Sequence, residues 1–290
     1  MKPLLLLIPL LCACGPSAAR TGGAPADPPA LLRVVSWNVH DLFDEVADPG
    51  TSEPPLPASV VEARLDAVAA VLRRLDADVV LLQEVEHLAL LHRLAARTGH
   101  REARLLEGND PRGIDVALLS RWPVTRYRGH AGELGGDGRR LWPRDAVVAR
   151  IEPGGAPLLV VATHLSTHLS DPSGERRWRQ ATRLRALADE AAAAEPGALV
   201  LAGGDLNDEA GEEALRPLFG DGAWRDGAGL VAPGAGPAWT WSDGRLHVAL
   251  DHLALRAGQM EVLVAGWVAG GPDVAAASDH RPVVLDLRGW

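Results

Sequence analysis

ALVLAGGDLN, residues 198–207, is the stretch from which the fold is read. The apolar run Ala198–Leu201, bounded on one side by Pro196–Gly197, is too short for a helix and suits a buried strand. It runs into Gly204–Asp205–Leu206–Asn207, so an acid and an amide come where the strand leaves its sheet. On an extended segment Asp205 and Asn207, two apart, face the same way. The arrangement repeats along the chain. Leu31–Val35 precedes Trp37–Asn38, Val79–Leu82 precedes Gln83–Glu84, Leu158–Val161 precedes Thr163–His164, and Val248–Leu250 precedes Asp251–His252. Asp279–His280 precedes a last apolar run, Pro282–Leu287. Strand ends of this kind can converge on one site rich in hard oxygen donors, which suits Mg²⁺, Mn²⁺ or Ca²⁺. Carboxylate, amide and imidazole groups without a nucleophilic Ser or Cys point to metal-assisted hydrolysis by water.

In this order, WN, QE, TH, GDLN, DH and SDH resemble the endonuclease/exonuclease/phosphatase superfamily, the fold of DNase I and exonuclease III. The resemblance spans Leu31 to Leu287. It implies a single α/β domain over residues 31–290, a four-layer α/β/β/α sandwich of two packed mixed sheets with the site at one edge.

The residues alone predict strands at Leu31–Val39, Val79–Leu82, Val116–Leu119, Ala146–Ile151, Leu158–Ala162, Ala198–Ala202, Leu250–Leu255, Glu261–Val268 and Pro282–Leu287. A helix follows a capping box of Ser59 and Glu62, with the stripe Val61, Leu65, Val68, Leu72 and Leu75 at helical spacing. Further helices are predicted at Glu86–Arg97, stopped by Gly99, and at Gly174–Ala194.

The resemblance assigns roles residue by residue. Glu84 is the principal metal ligand, with Asn38 and Asp279 assisting. Asp205 and His280 activate water, Asp251 orients His280, and Asp279 is an acid–base candidate together with His280. Asn207 and His164 stabilise the pentacovalent phosphorus. Asp115 is the carboxylate expected to pair with His164, and Arg144 and Asn207 contact the phosphate. His168 and His252 are read as bystanders, and Asp208 and Glu209 as the solvated start of a helix. Arg176, Arg179 and Arg183 share a helix face. That stripe either steers polyanions or is a solvated face paired with Glu175, Asp189 or Glu190. Trp239 and Trp241 either stack a base or a lipid edge, or pack.

The N-terminus has a separate logic. Lys2, the apolar stretch Leu4–Leu11 and then Leu11–Cys12–Ala13–Cys14 form a lipoprotein signal peptide, residues 1–13, with Cys14 lipidated. Residues 14–30 form a flexible tether rich in Gly, Pro and Ala. The implied location is exported and anchored by lipid to the bacterial envelope, with a periplasmic or secreted enzyme as the fallback. Both cysteines, Cys12 and Cys14, lie in this processing box, so the domain carries neither disulfide nor thiolate site.

The chain has 290 residues, of which 47% are hydrophobic and 23% charged, an ordinary globular balance. Its net charge of −9 makes it a poor non-specific binder of polyanions. The function expected is that of a Mg²⁺- or Mn²⁺-dependent phosphodiester hydrolase, a monomer without protein partner, acting on nucleic acid as an extracytoplasmic nuclease. The alternatives are a phosphatase or phospholipid phosphodiesterase of the same superfamily, or a non-catalytic surface-binding lipoprotein.

Overall fold

A computed structural model of the protein describes residues 29–52, 55–228 and 239–289. The leader, Cys14 and almost all of the tether lie outside these residues. In chain order the first half runs β1 (Leu32–Leu42), α1 (Ala58–Leu75), β2 (Val79–Val85), α2 (Leu88–Thr98), β3 (Glu102–Leu105), β4 (Asp115–Ser120), β5 (Val124–Gly129), β6 (Ala146–Ile151) and β7 (Leu158–His164). There follow α3 (Glu175–Ala194), β8 (Leu199–Asp205), α4 (Arg216–Phe219), β9 (Trp224–Asp226), β10 (Trp241–Ser242), β11 (His247–Val248), β12 (Asp251–Arg256), β13 (Leu263–Val268), α5 (Pro272–Ala277) and β14 (Val283–Leu287).

Two six-stranded sheets, ordered β13-β14-β1-β2-β4-β3 and β5-β6-β7-β8-β12-β9, pack face to face. Each is mixed, with β1 parallel to β2 and β7 parallel to β8. The inner strands β2, β4, β7 and β8 are buried on both faces, which is why they read as continuous apolar runs. On β1, Leu32 and Val34 enter the core between the sheets, while Val35, Trp37 and Val39 pack under the helices. On β8, Leu199 and Leu201 face the other sheet, and Val200 and Ala202 meet α3. Three apolar layers therefore separate four layers of structure, the sandwich that the resemblance implies.

Some local expectations are corrected. The Ser59–Glu62 capping box does not form: Pro57, with φ −58° and ψ 136°, occupies the N-cap, and Ser59 lies inside the first turn. Glu62 instead reaches Arg93 (2.7 Å) and Arg97 of α2. The second helix starts at Leu88, two residues later than expected, because the His87 ring caps it by accepting from Leu90 N at 3.1 Å. Gly99 does end that helix, at φ 76°. The segment before Leu263 is a 3-10 helix, Ala257–Val262, where a strand was expected from Glu261. Strands β3, β5 and β9 and helix α5 carry too few residues or too mixed a pattern to be read from periodicity.

Candidate active site

Asp205 is the centre of the site because of where β8 lies. In the sheet register it stands opposite Asp251 on antiparallel β12 and beside His164 on parallel β7. Gly204 must be glycine: a Cβ there would lie 2.0 Å from the Thr163 carbonyl oxygen, and its φ is 134°.

The facing sheet contributes through distorted backbone. Glu84 (φ 67°), His40 (φ 56°), Asp41 (φ 47°) and Asn207 (φ 53°) all hold left-handed conformations without being glycine. Such residues cost about 1–3 kcal/mol each and cluster where geometry serves function. At Glu84 the pairing of β2 slips against β4, and β1 slips beside it between Asn38 and Leu42. The slip turns Glu84 out of the ladder toward the cavity.

Asn38 then ties the sheets together. Its amide Nδ2 donates to Asp205 Oδ2 at 2.9 Å and to Glu84 Oε1 at 3.1 Å, and its Oδ1 accepts from His40 N at 2.9 Å. Glu84 Oε2 accepts from Asp41 N at 2.8 Å. Asp205 Oδ2 also faces His164 Nε2 at 3.2 Å and His280 Nε2 at 3.8 Å. His280 Nδ1 lies 2.8 Å from Asp251 Oδ2, the pairing expected from the sequence. Trp37, fully buried, donates from Nε1 to the His280 carbonyl at 3.0 Å and so fixes its backbone.

These contacts set the charges. Burial, with the Asp251 charge beside it, pushes the Asp205 carboxyl up to about 7. Burial alone would lower His280, but Asp251 and Asp205 outweigh it and carry the imidazole up to about 10. Burial and the nearby Arg144 hold His164 well below its usual value, so that ring is neutral. Glu84 stays ionised: burial opposes its charge, and hydrogen bonds from Asp41 and Asn38 overcome that. Asp41 is pushed up to about 6 by burial and by the Glu84 charge. Crowded carboxylates of this kind are relieved by a cation.

A divalent metal fits the donor set. Asp205 and Asp251 bring carboxylate oxygens within 4.8 Å of one another, beside the His280 cation. Asp251 Oδ1 is buried with no hydrogen-bond partner in the structure, an oxygen left for a ligand. Glu84 adds a hard oxygen from the opposite sheet, as Mg²⁺ or Mn²⁺ prefers, while Asn38, expected as a further ligand, presents its amide Nδ2 and keeps Oδ1 on His40 N.

Several expected residues are placed otherwise. Asp115 does not meet His164. Its Oδ1 accepts from Gly108 N at 2.7 Å, and the carboxylate at His164 is Asp205. Burial and the neighbouring Glu107 push Asp115 up to about 8. Asn207 is not extended. Its backbone N donates to Asp205 Oδ1 at 3.0 Å and its Nδ2 to the Leu165 carbonyl at 3.1 Å, so the two side chains do not run in parallel. Asp279 lines the cavity with its oxygens held by His40 Nδ1 (2.6 Å) and Trp241 Nε1 (3.0 Å). Arg144 is buried behind the site, against Asp110 at 2.8 Å. Asp208 begins no helix; it is buried and pairs with Arg177 at 3.2 Å.

The α3 arginines are occupied. Arg179 pairs with Asp137 and Glu175, Arg183 with Glu133 and Glu190, and Arg176 donates to the carbonyls of Arg140 and Leu141. Of the two tryptophans, Trp241 lines the cavity, while Trp239 stacks on Arg281 at 3.4 Å. His252 is buried between Asp226 (2.7 Å) and the Asp208 carbonyl (3.0 Å), consistent with a packing role. The cavity itself holds about 860 Å³. His40, Asp41 and Arg112 line it without having been singled out in the sequence.

Comparison with known proteins agrees with this architecture. The sequence profile described as "Endonuclease/Exonuclease/phosphatase family" matches residues 35–280. Among solved structures, an endonuclease/exonuclease/phosphatase from Bacteroides vulgatus superposes with a TM-score of 0.66 at 18% identity, covering 89% of this chain and 99% of that one. Truncated TDP2 from Caenorhabditis elegans gives 0.64 at 20% identity, covering 89% and 98%. Sphingomyelinase C from Streptomyces griseocarneus gives 0.59 at 19% identity, covering 89% and 99%. At these identities the likeness is one of fold. No curated protein matches the chain in sequence.

Proposed function

The chain belongs to the endonuclease/exonuclease/phosphatase family, and from that membership and the site geometry we propose that it is a divalent-metal-dependent phosphodiester hydrolase. The observation that carries this reading is Asn38 joining Glu84 to Asp205, 2.9–3.1 Å from each, beside the His280–Asp251 pair. Glu84, Asp205 and Asp251 would hold Mg²⁺ or Mn²⁺, and Asn38 would fix the first two carboxylates through its Nδ2. Such a metal, when bound, would supply Lewis-acid polarisation and a more acidic water. Asp205 takes the proton of the attacking water at Oδ2, the oxygen that faces His164 and His280. His280, protonated and braced by Asp251, gives its Nε2 proton to the leaving oxygen as its bond to phosphorus breaks, and regains a proton from Asp205. His164, neutral, serves as a hydrogen-bond donor and not as an acid. Asn207 holds the Asp205 turn in place.

For the substrate we propose nucleic acid presented as a single strand or an end. Trp241 gives the cavity an aromatic wall for a base, whereas the occupied α3 arginines offer little to a long duplex. A phospholipid phosphodiesterase is the second reading, favoured by one observation: Leu169, 93% exposed, and Leu246, 56% exposed, stand on loops at the cavity mouth. Export and lipidation at Cys14 belong to the same proposal and rest on the leader sequence alone. Plasmid DNA, RNA, sphingomyelin vesicles and bis(p-nitrophenyl) phosphate, each with Mg²⁺ or Mn²⁺, separate these readings. Cleavage of vesicle lipid with nucleic acid untouched would reverse the substrate choice. Hydrolysis of none would overturn the proposal.

A further inference from the structure

We infer that Arg112, not Arg144, is the arginine that contacts the substrate phosphate, and that Asp41 holds it in readiness when the cavity is empty. The inference rests on the phosphoester reading of the site and names a residue that neither the motifs nor the resemblance pointed to.

The two guanidiniums differ in access. Arg144 is buried, its Nε 2.8 Å from Asp110 Oδ2 and its NH1 3.2 Å from the Leu165 carbonyl, and it does not line the cavity. Arg112 lines the cavity together with Glu84, His164, Asp205 and His280, and its side chain is 31% exposed. Arg177, the other arginine on the wall, is fully buried and spent on Asp208, Asp171 and the Ser166 carbonyl. Arg112 is therefore the arginine at the cavity that keeps donors for an incoming anion.

Its position is built. Asp110–Pro111–Arg112–Gly113 is a tight turn with Asp first, Pro second and Gly fourth, the residues such a turn favours. Asp110 Oδ1 accepts from Arg112 N at 3.0 Å and faces Nε at 3.3 Å, while Asp110 Oδ2 braces Arg144. One carboxylate thus backs both arginines. Gly113 sits at φ 78°, and a Cβ there would lie 2.9 Å from Thr51 Cγ2, so the turn is pressed against the neighbouring loop. Arg112 NH1 points to Asp41 Oδ1 at 3.0 Å.

A guanidinium presents a planar fork of donors that matches two phosphate oxygens. Exchanging Asp41 for a phosphate oxygen keeps Arg112 paired and delivers the anion beside His280 and Asp205. Asp41 then acts as a competitor for the same guanidinium. Removing its charge should strengthen anion binding, an effect that general packing would not give.

The test reads inorganic phosphate binding to the Mg²⁺-loaded protein by calorimetry, with hydrolysis of bis(p-nitrophenyl) phosphate alongside. Arg112→Gln should weaken phosphate about tenfold and raise KM similarly, with Arg112→Lys recovering part of the loss. Asp41→Asn should tighten phosphate several-fold, and the gain should vanish in the Asp41→Asn/Arg112→Gln double variant. Arg144→Gln should lower the melting temperature and leave phosphate affinity near wild type. Wild-type phosphate affinity in both Arg112 variants, or no phosphate binding by the wild-type protein, would overturn the inference. Binding that depends on Arg112 in a protein that hydrolyses nothing would instead overturn the proposed function and leave Arg112 standing.

Discussion

His280 Nδ1 lies 2.8 Å from Asp251 Oδ2, and the second oxygen of that carboxylate, Oδ1, is buried without a hydrogen-bond partner in the structure. Asp251 therefore braces the imidazole with one atom and keeps the other for a ligand. Asp251→Asn keeps the shape and removes the charge that makes His280 cationic. Turnover should fall by about 10²–10⁴-fold, the usual worth of such proton-transfer groups, while the melting temperature stays within a few degrees. A variant with activity within a few-fold of wild type would remove His280 from the chemistry.

Glu84 is held in a left-handed conformation that only its place in the site explains. Glu84→Gln preserves the side-chain volume and the bond to Asn38 but lowers the negative charge offered to a cation. Calorimetry should show Mn²⁺ affinity reduced at least tenfold with circular dichroism unchanged. Equal affinity would move the ligand elsewhere, Asp251 and Asp205 being the next candidates.

Arg177 is fully buried behind the cavity, bonded to Asp208, Asp171 and the carbonyl of Ser166. Breaking a buried ion pair by removing one partner costs about 3–5 kcal/mol, because the other charge is left uncompensated. Arg177→Met should lower stability in urea by about that amount. Addition of Asp208→Leu should restore part of it. Additive losses in the double variant would mean that Asp208 is not the stranded charge.

His100 gives stability a pH dependence away from the site. Its ring is buried, 3.1 Å from the Ala77 carbonyl and 2.7 Å from Thr98 Oγ1, and burial with Arg121 nearby pulls it down to about 4. The unfolded chain binds this proton below about 6.5 while the folded protein resists it until about 4, so stability falls as pH drops through that window. The contribution is on the order of 3 kcal/mol at most. Urea titrations of wild type and His100→Gln at pH 7 and pH 4.5 should show a smaller pH loss in the variant. Equal losses would exclude His100 as the source.

Much of this architecture was legible because buried strands leave a plain signal. Val79–Leu82 and Ala198–Leu201 are apolar on both faces, so each sheet can be read from runs, and polar residues at the ends of those runs stand out. That reasoning reaches Glu84, Asp205, Asp251 and His280. It fails where contact depends on loops. The bulge that turns Glu84 outward also carries His40 and Asp41 into the cavity, and no periodicity announces a bulge. Arg112 stands on a turn whose residues were visible, but the turn alone does not say which cavity it faces. Asp115 opens its strand, in register with Val85, and its carboxylate accepts from Gly108 N instead of meeting His164. Strand position fixes a residue along the chain; the partner across the cavity is set by how the two sheets pack.

The central claim is that this site hydrolyses phosphodiesters with a divalent metal. Its most direct test is the hydrolysis of bis(p-nitrophenyl) phosphate by the purified protein after exhaustive EDTA treatment, before and after Mg²⁺ or Mn²⁺ is returned, with Glu84→Gln run in parallel. The account predicts that activity disappears in chelator, returns with the metal, and returns in Glu84→Gln only at much higher metal concentration. Undiminished hydrolysis by the metal-stripped protein would contradict it.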